Sequence, residues 1–334
     1  MKICVVGAGA IGGLLAVKLS QLGESVSVVV RGPHLAAVRA NGMKLLMDGT
    51  EHVARVAATD RIPELGTQDL VILTLKAHQL GAVAQDLKSL CGPHTVLVTA
   101  QNGIPWWYFF RHDGPYQGTI LQSVDPGGTV AANIDVAQVI GSIIYPAADI
   151  VSPGIIRHIE GTRISLGELD GEDTERLRAL AQLFRKAGFR VRVASDLRSE
   201  IWVKLWGNCT FNPISALTHA TLVDICQFPP TRELAENVMR EAQLIGEKLG
   251  VRFGVSLEKR IAGAEAVGKH KTSMLQDVET GRPLELEALV GSVVELGRLT
   301  DIPTPHLSAI HACASLLAKV LRDAHGRLKV DAVP

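Results

Sequence analysis

Apolar runs of strand length alternate with helical patterns over the first part of the chain. Ile3 to Val6 and Ser25 to Val30 are apolar enough for buried strands, and Ile11 to Leu22 between them has the spacing of a helix. Further buried strands are predicted at Asp69 to Leu75 and Thr95 to Ala100. This alternation predicts a parallel sheet that is covered by helices on both faces.

Later segments change in character. Short β-rich runs predict an antiparallel extension of the sheet at Thr119 to Ser123, Gln138 to Ile144, Gly154 to Ile159 and Arg163 to Leu166. A helix from about Glu172 to Ala187 and a strand from Arg190 to Ala194 would close the domain, and the periodicity is helical from Asp196 onward. We therefore expect an α/β domain of residues 1–194 and an all-helical domain of residues 195–334, which abut and form a cleft. The last residues, about Lys329 to Pro334, are expected to fray.

Three glycines lie between the first strand and the helix after it: Gly7, Gly9 and Gly12. Gly7 permits a tight turn, Gly9 lets the backbone approach a phosphate, and Gly12 lets the helix pack closely on the strand. The free amides at the start of the helix, including those of Ala10 and Ile11, supply donors for an anion. Because a strand and a helix flank them, these glycines predict a dinucleotide site.

Arg31 stands at the end of the second strand, where the pattern for NAD has an acidic residue. A guanidinium cannot accept a hydrogen bond from a ribose hydroxyl, but it pairs in bidentate fashion with a 2'-phosphate. Arginine in place of an acidic residue at position 31 therefore favours NADPH over NADH. An ordinary solvated arginine at a strand end is the alternative.

The composition restricts the partners. Lysine plus arginine and aspartate plus glutamate number 34 each, so no broad basic field exists to bind nucleic acid or an anionic membrane. A small ligand fits better. Because no run reaches membrane-spanning length and the glycine turn interrupts the apolar start of the chain, we expect a soluble, unexported protein. The five cysteines, whose spacing is not that of metal ligands, predict reduced, buried thiols in a cytoplasmic protein without a metal: Cys4, Cys91, Cys209, Cys226 and Cys313.

The helix predicted from about Asp196 is apolar over much of its circumference, but it includes polar residues. Lys204 and Asn208 are four residues apart on the apolar face, and Asn212 would continue the row, although Pro213 is expected to end the helix there. As an alternative, the lysine extends to water and the asparagines bond to backbone groups at a helix end. Since all three share this face, we favour a site for an oxygen-rich ligand.

Ser273 and Glu285 form a second candidate group. Pro283 suits the first turn of a helix, so Glu285 is expected in that turn and facing inward, whereas Glu287 points away. A favourable carboxylate at a helix N-terminus would explain Glu285 by itself. If it shares a cleft with Lys204, it becomes a candidate to bind an anion or a hydroxyl.

Two loops follow strands of the predicted parallel sheet, where ligands bind. Lys76 in the first is a candidate to meet phosphate or substrate charge, and Asn102 in the second is a candidate to bind the nicotinamide ribose or the substrate. An exposed loop lysine and an ordinary Asn-Gly turn are equally good explanations. The aromatic run from Trp106 to Phe110 is attributed to core or subunit packing, with a role in lining the cleft as the alternative.

Together, these residues resemble the ketopantoate reductase (2-dehydropantoate 2-reductase) family. The resemblance covers most of the chain, and its most specific part is the combination of lysine, asparagines and proline with the later serine and glutamate. The matching segments are the glycine turn, Arg31, Lys76, Gln101-Asn102-Gly103, Trp202 to Pro213, Ser273 to Asp277 and Gly281 to Glu285.

The resemblance implies a Rossmann domain, followed by a helical domain like that of 6-phosphogluconate dehydrogenase. It also implies reduction of 2-dehydropantoate to (R)-pantoate by NADPH, in the biosynthesis of pantothenate and coenzyme A. Lys204 would be the general acid, Glu285 would hold the substrate hydroxyl and Lys204, and Ser273 would bind the carboxylate. Asn208 and Asn212 would orient the substrate oxygens, with Arg31, Asn102 and Lys76 serving the cofactor. A homodimer is the oligomeric form that we consider.

Two segments depart from the glycine-rich pattern expected of the family: Ser123 to Gly128 and Tyr145 to Ala148. The run from Trp106 to Phe110 is also unusual. A paralogue that reduces another 2-keto acid with NADPH is therefore the main alternative. A non-catalytic NADPH sensor is a further one, but it would not need the polar residues from Lys204 to Glu285.

Overall fold

The computed structural model of the chain describes residues 1–326. The chain forms two compact units that divide between Leu197 and Arg198. The expectation for Lys329 to Pro334 falls outside the described residues. The first unit contains every strand of this part of the chain, whereas the second contains helices.

The first unit is a mixed α/β structure. Its strands are β1 (Lys2–Val6), β2 (Ser25–Val29), β3 (Met43–Met47), β4 (Thr50–Ala54), β5 (Ala57–Thr59), β6 (Leu70–Leu73), β7 (Val96–Thr99), β8 (Val139–Ile144), β9 (Ala147–Ser152), β10 (Ile155–Glu160), β11 (Arg163–Gly167) and β12 (Arg190–Val193). Its helices are α1 (Ala10–Ser20), α2 (Gly32–Asn41), α3 (Ala77–Leu80), α4 (Ala84–Leu87) and α5 (Glu175–Lys186).

Eight of the strands form one sheet in the order β12-β11-β8-β7-β6-β1-β2-β5. All neighbouring pairs are parallel except β8 and β11, which are antiparallel. The chain moves outward from β1 in both directions, so β1 and β6 form a switch point at which the order reverses. In open sheets of this kind, ligands bind beyond the carboxyl ends of the strands at that point.

A second sheet of four strands, in the order β4-β3-β10-β9, packs against α1. The contact is close at Gly13, where a β-carbon would lie 2.6 Å from Cγ1 of Ile156 and 3.1 Å from Sδ of Met43. This sheet was not predicted as a separate layer. Its strands have mixed burial patterns that do not alternate cleanly, so their sequence signal is weak.

The second unit is formed by most of α6 (Leu197–Thr218) with α7 (Leu222–Gln227), α8 (Pro229–Lys248), α9 (Leu257–Ala266), α10 (Ser273–Glu279), α11 (Ser292–Leu299) and α12 (Pro305–Asp323). Trp202 and Trp206 of α6 are fully buried, and the Trp206 indole N–H donates to the Met239 carbonyl in α8 at 2.7 Å. Glu241 of α8 accepts hydrogen bonds from the N–H groups of His306 and Leu307 at 2.9 Å each. A buried carboxylate thus caps α12 at its N-terminus, where the helix dipole favours negative charge.

The predicted fold class is confirmed, but several local predictions are wrong. Thr119 to Ser123 is not a strand, because the backbone there forms turns that close on Leu121. The buried carboxylate of Asp125 accepts from the N–H groups of Val130 and Ala131, which stabilises the same loop. The five cysteines form no disulfide, but the prediction that all are buried is wrong, because Cys91 is only partly buried and Cys313 is exposed.

The prediction that Pro213 ends α6 is also wrong, since the helix continues to Thr218 with the proline inside it. An interior proline costs an α-helix about 3 kcal/mol. Phe211 and Ile214 on either side are 2% exposed. Burial of such side chains offsets the loss of one backbone hydrogen bond, because packing supplies most of the stability of a helix in a protein.

Candidate active site

The turn between β1 and α1 has the geometry that its glycines predict. Gly7 has a φ of +91°, and a β-carbon there would lie 2.8 Å from the backbone nitrogen of Leu75. A β-carbon at Gly12 would contact Thr74 Oγ1 and would lie 2.8 Å from the Gly7 carbonyl oxygen. The protein itself therefore requires glycine at positions 7 and 12.

Gly9 differs from the other two, because a β-carbon there would meet only the Gly7 carbonyl oxygen, at 3.8 Å. Among residues 1–326, nothing excludes a side chain at this position, so a reason for glycine lies in what approaches the turn from outside. The N–H groups of Ala10, Ile11 and Gly12 are in the first turn of α1, where a helix has no internal acceptors for them. Space and donors together fit a pyrophosphate group.

Two side chains that the sequence analysis missed fix this turn. Thr74 Oγ1 donates to the carbonyl oxygens of Val6 and Gly7, at 3.2 and 2.9 Å. His34 Nδ1 accepts from the Gly154 N–H at 2.9 Å, and its Nε2 therefore donates to the Ala8 carbonyl at 3.0 Å. The pKa of His34 is lowered, mainly because burial disfavours the charged imidazolium. Neither residue has a local sequence signal, since its partners are distant in the chain.

The other candidate cofactor residues follow neighbouring strands. The ends of β2, β1, β6 and β7 are level, because Val29 pairs with Val6, Val6 with Leu73, and Leu73 with Thr99. Arg31, Lys76 and Asn102 follow β2, β6 and β7, so the sheet brings them to the same edge as the glycine turn. Arg31 is exposed and its backbone precedes the first turn of α2.

The polar row predicted on α6 is present. Lys204, Asn208 and Asn212 all lie inside this helix at intervals of four residues, which places them on one face. Lys204 and Asn208 are partly buried, and Asn212 is only 5% exposed. Because α6 continues past Pro213, Asn212 lies inside the helix instead of at its end.

The ammonium group of Lys204 is in an environment that changes its acidity. Burial lowers the pKa of Lys204 from 10.5 to about 8, and the negative charge of Glu285 acts in the opposite direction. A lysine with this pKa is mostly protonated at neutral pH, but it gives up its proton more readily than a lysine in water. Such a group can act as a general acid.

Glu285 is not in a helix, which corrects the prediction from Pro283. The helical conformation begins at Leu286, and both Pro283 and Glu285 lie in the preceding segment, which has no regular secondary structure. The first turns are a π-helix, Glu287–Gly291, which leads into α11. π-helical turns are rare and often occur at functional sites. As predicted, Glu285 is partly buried and Glu287 is exposed.

Ser273 and Asn212 are brought together, with Asn212 Nδ2 donating to Ser273 Oγ at 3.4 Å. Ser273 is the first residue of α10 and its side chain is exposed. Within the second unit, therefore, the structure joins Lys204 to Glu285 electrostatically and Asn212 to Ser273 by a hydrogen bond. Arg260 of α9 also lies on α6 at Gly207, which the sequence analysis missed.

Two features of residues 1–326 concern membrane spans and metal ligands. No helix among them is both long and apolar enough to cross a membrane. In the same residues, no group of three or more histidine, cysteine or acidic side chains is arranged to hold a metal ion.

A dinucleotide-binding sheet followed by a helical unit with a partly buried lysine defines a nicotinamide-dependent oxidoreductase. Two family models match the chain: "Ketopantoate reductase PanE/ApbA" at residues 3–171 and "Ketopantoate reductase PanE/ApbA C terminal" at residues 196–318. The chain belongs to the ketopantoate reductase family.

Individual relatives agree with this assignment. The chain is 54% identical to a 2-dehydropantoate 2-reductase of Mesorhizobium japonicum, over 95% of this chain and 98% of the relative. It matches the crystal structure of a candidate ketopantoate reductase from Ralstonia solanacearum with a TM-score of 0.92 and 42% identity, over 96% and 98% of the two chains. A 2-dehydropantoate 2-reductase from Methylococcus capsulatus matches with a TM-score of 0.80 and 27% identity, over 96% and 98%.

Proposed function

We propose that the protein reduces 2-dehydropantoate to (R)-pantoate with NADPH, in the biosynthesis of pantothenate and coenzyme A. The observation that carries the proposal is Lys204, a partly buried amine with a pKa of about 8, in a chain 54% identical to a 2-dehydropantoate 2-reductase. An amine in this state can protonate an oxygen at neutral pH, which is what the reduction of a ketone requires.

Each polar residue has a role in this proposal. A bound nicotinamide cofactor would supply the hydride for the carbonyl carbon, so the residues around the substrate must accommodate negative charge on the carbonyl oxygen. Lys204 stabilises that charge and donates the proton. Glu285 accepts a hydrogen bond from the substrate hydroxyl and keeps Lys204 in its charged form. Asn208 and Asn212 orient the substrate oxygens, and Ser273 donates to the carboxylate.

The cofactor is held by the first unit. The glycine turn and the N–H groups of Ala10, Ile11 and Gly12 would bind the pyrophosphate. Arg31 would pair with the 2'-phosphate that distinguishes NADPH from NADH. Lys76 and Asn102, which follow β6 and β7, would serve the cofactor phosphates and the nicotinamide ribose. A cytoplasmic location is part of the proposal, and the free thiols of the five cysteines support it.

The proposal is tested by assaying the purified protein for NADPH oxidation with 2-dehydropantoate and a panel of other 2-keto acids. Lys204→Ala is expected to lower kcat by roughly 100-fold or more, since general acid catalysis contributes about that much. NADPH binding, measured by fluorescence, should remain. Lys248→Ala, an exposed lysine of α8, is the matched control and should retain activity.

Three outcomes would contradict parts of this proposal. Turnover of another 2-keto acid without turnover of 2-dehydropantoate would identify a paralogue with a different substrate. NADPH binding without turnover of any 2-keto acid would favour a sensor. Full activity of Lys204→Ala would remove the lysine from the mechanism.

A further inference from the structure

The π-helical turn Glu287–Gly291 is joined to α12 by a pair of side chains that have no role in the proposed reaction. Glu287 Oε1 accepts a hydrogen bond from His311 Nε2 of α12 at 3.0 Å. The Glu287 side chain is 52% exposed, but that of His311 is only 25% exposed, so most of the imidazole surface contacts the protein. The pair therefore restrains the turn against a neighbouring helix.

Gly291 provides the space for this pair. A β-carbon at position 291 would contact Glu287 Oε2, and would lie 3.1 Å from Glu287 Cδ and 3.2 Å from His311 Nε2. The carboxylate thus folds back over the last residue of its own turn, where it meets the imidazole. Glycine disfavours a helix interior compared with alanine. The space that the pair needs explains why a glycine is present at this buried position.

The α12 side of the pair is itself anchored. The buried carboxylate of Glu241 in α8 accepts hydrogen bonds from the N–H groups of His306 and Leu307 at 2.9 Å each. His311 lies about one turn further along the same helix. A hydrogen bond from His311 therefore holds the π-helical turn to a helix whose own position is restrained.

The position of Glu285 depends on this turn. Residues 282–285 belong to neither a helix nor a strand, so the ends of the segment restrain it. At the first end, Arg282 Nε lies 3.0 Å from Asp277 Oδ1, and the Arg282 N–H donates to the Asp277 carbonyl at 2.8 Å. At the other end, the helical conformation begins at Leu286, directly before the π-helical turn. Glu285 is thus the residue that enters the turn.

The π-helical geometry sets the direction from which the chain enters α11. A π-helical turn contains about one residue more than an α-helical turn, and one residue corresponds to about 100° of rotation in an α-helix. If the turn relaxed to an α-helix, the residues before it would rotate by roughly that angle relative to α11. The Glu285 carboxylate would then leave the position from which its charge acts on Lys204.

We propose that Glu287 and His311 are positioning residues, which hold the π-helical turn and thereby keep the Glu285 carboxylate beside Lys204. This inference rests on the proposed function, in which Lys204 donates the proton and Glu285 keeps it charged. The two carboxylates have different roles, because Glu285 acts on the lysine directly and Glu287 acts through the backbone. A pair that only joined two helices would leave the pKa of Lys204 unchanged.

The test measures the pKa of Lys204 in His311→Ala, a variant that removes no negative charge. Without substrate, the pKa is obtained by titrating the side-chain NMR signal of Lys204, which is assigned by its absence in Lys204→Ala. With substrate, it is obtained from the alkaline decline of kcat/KM. Both should move to lower pH by roughly 0.5 to 1, which is part of the 1 to 3 that an opposite charge within about 4 to 6 Å supplies.

A double variant shows whether His311 acts through Glu285. In Glu285→Gln the carboxylate charge is already absent, so adding His311→Ala should change the pKa of Lys204 little further. His311→Gln retains an N–H donor and should recover most of the wild-type pKa. Lys319→Ala, which removes an exposed ion pair with Asp323 on the same helix, is the matched control and should have no effect.

Gly291→Ala tests the pair without removing either partner. Its methyl group needs the space of the Glu287 carboxylate, which must then leave His311. The pKa of Lys204 should therefore fall as it does in His311→Ala. Because alanine favours a helix more than glycine does, a weaker helix would not explain this result.

The melting temperature and NADPH affinity of each variant are measured to confirm that the fold is intact. An unchanged pKa of Lys204 in folded His311→Ala would overturn the inference, because the pair would then only join two helices. An equal fall of the pKa in the Glu285→Gln background would overturn it as well, since His311 would not act through Glu285. Absence of turnover with every 2-keto acid would contradict the proposed function instead, and the NMR titration would still decide the inference.

Discussion

At the scale of single residues, the acidity of Lys204 is the property with most consequence for catalysis. Lys204 and Glu285 are 81 positions apart in the printed numbering, yet the carboxylate charge raises the pKa of the lysine while burial lowers it by a larger amount. The result is a pKa of about 8, which is close to the pH at which a general acid is most effective. Neither the effect of burial nor that of the Glu285 charge can be predicted from the presence of a lysine in the sequence, because both depend on what surrounds the side chain.

This pKa predicts how activity depends on pH. The protonated amine is the acid, so kcat/KM for keto acid reduction should be constant below pH 8 and fall about tenfold per unit above it. Removing the Glu285 charge in Glu285→Gln should lower the pKa of Lys204 further and move the decline to lower pH. Both effects are measured as steady-state rates from about pH 6 to about pH 10, a range that includes pH values below and above the pKa of Lys204. A profile that stays flat to pH 10, or a decline that moves upward in Glu285→Gln, would exclude Lys204 as the acid.

At the scale of elements, the turn between β1 and α1 contains glycines of two kinds: those that the fold requires and one that suits a ligand. Gly7 and Gly12 face protein atoms, whereas Gly9 faces open space. The pattern Gly-x-Gly-x-x-Gly can be recognised in the sequence, but only the packing shows which glycine serves the fold and which serves a ligand. Thr74 and His34, which fix the turn through hydrogen bonds, come from other elements and have no such pattern.

The two kinds of glycine should respond differently to substitution by alanine. Gly12→Ala forces a methyl group against Thr74 and the Gly7 carbonyl, so it should lower the free energy of unfolding by about 1 to 3 kcal/mol. Gly9→Ala should leave stability nearly unchanged but weaken NADPH binding by about tenfold or more, since the methyl group obstructs the phosphates. Thermal unfolding without cofactor and NADPH titration distinguish the two variants. Equal losses of stability would refute the distinction.

Helix α6 shows where sequence patterns are sufficient and where they are not. Its apolar face and the polar row of Lys204 and Asn208 follow from a period of 3.6 residues. Its end at Thr218 does not follow, because Pro213 normally signals a boundary and only burial of the surrounding side chains explains its place inside the helix. Glu285 is the converse case. Pro283 suits a first helical turn, but it lies in an irregular segment, and the helix begins only at Leu286.

At the scale of the whole molecule, cofactor binding should be coupled to stability. A ligand that binds only the native state raises the free energy of unfolding by about 2.7 kcal/mol at 100 times its Kd. NADPH should therefore raise the melting temperature of the protein by several degrees, and the wild-type chain should respond more to NADPH than to NADH at equal concentration.

Arg31→Ala tests the origin of that preference. Loss of the contact with the 2'-phosphate should weaken NADPH binding by about 1.5 to 3 kcal/mol and reduce the thermal shift, while the response to NADH stays the same. The ratio of kcat/KM for NADPH to that for NADH should fall with it. Arg55→Ala, another exposed arginine of the first unit, is the control. An unchanged ratio in Arg31→Ala would show that Arg31 does not select the cofactor.

The sequence by itself determined the features that depend on local order and periodicity. These are the glycine turn, the alternation of strands and helices in the first unit, the helical character of the second and the row of polar residues on α6. Tertiary structure alone decided which distant groups meet: the second sheet against α1, the continuation of α6 through Pro213, the charge of Glu285 on Lys204 and the guanidinium of Arg260 over Gly207. The reason is physical, because periodicity reports which face of an element is apolar, whereas a pKa, a buried proline or a contact between helices depends on atoms that the chain brings together only when it folds.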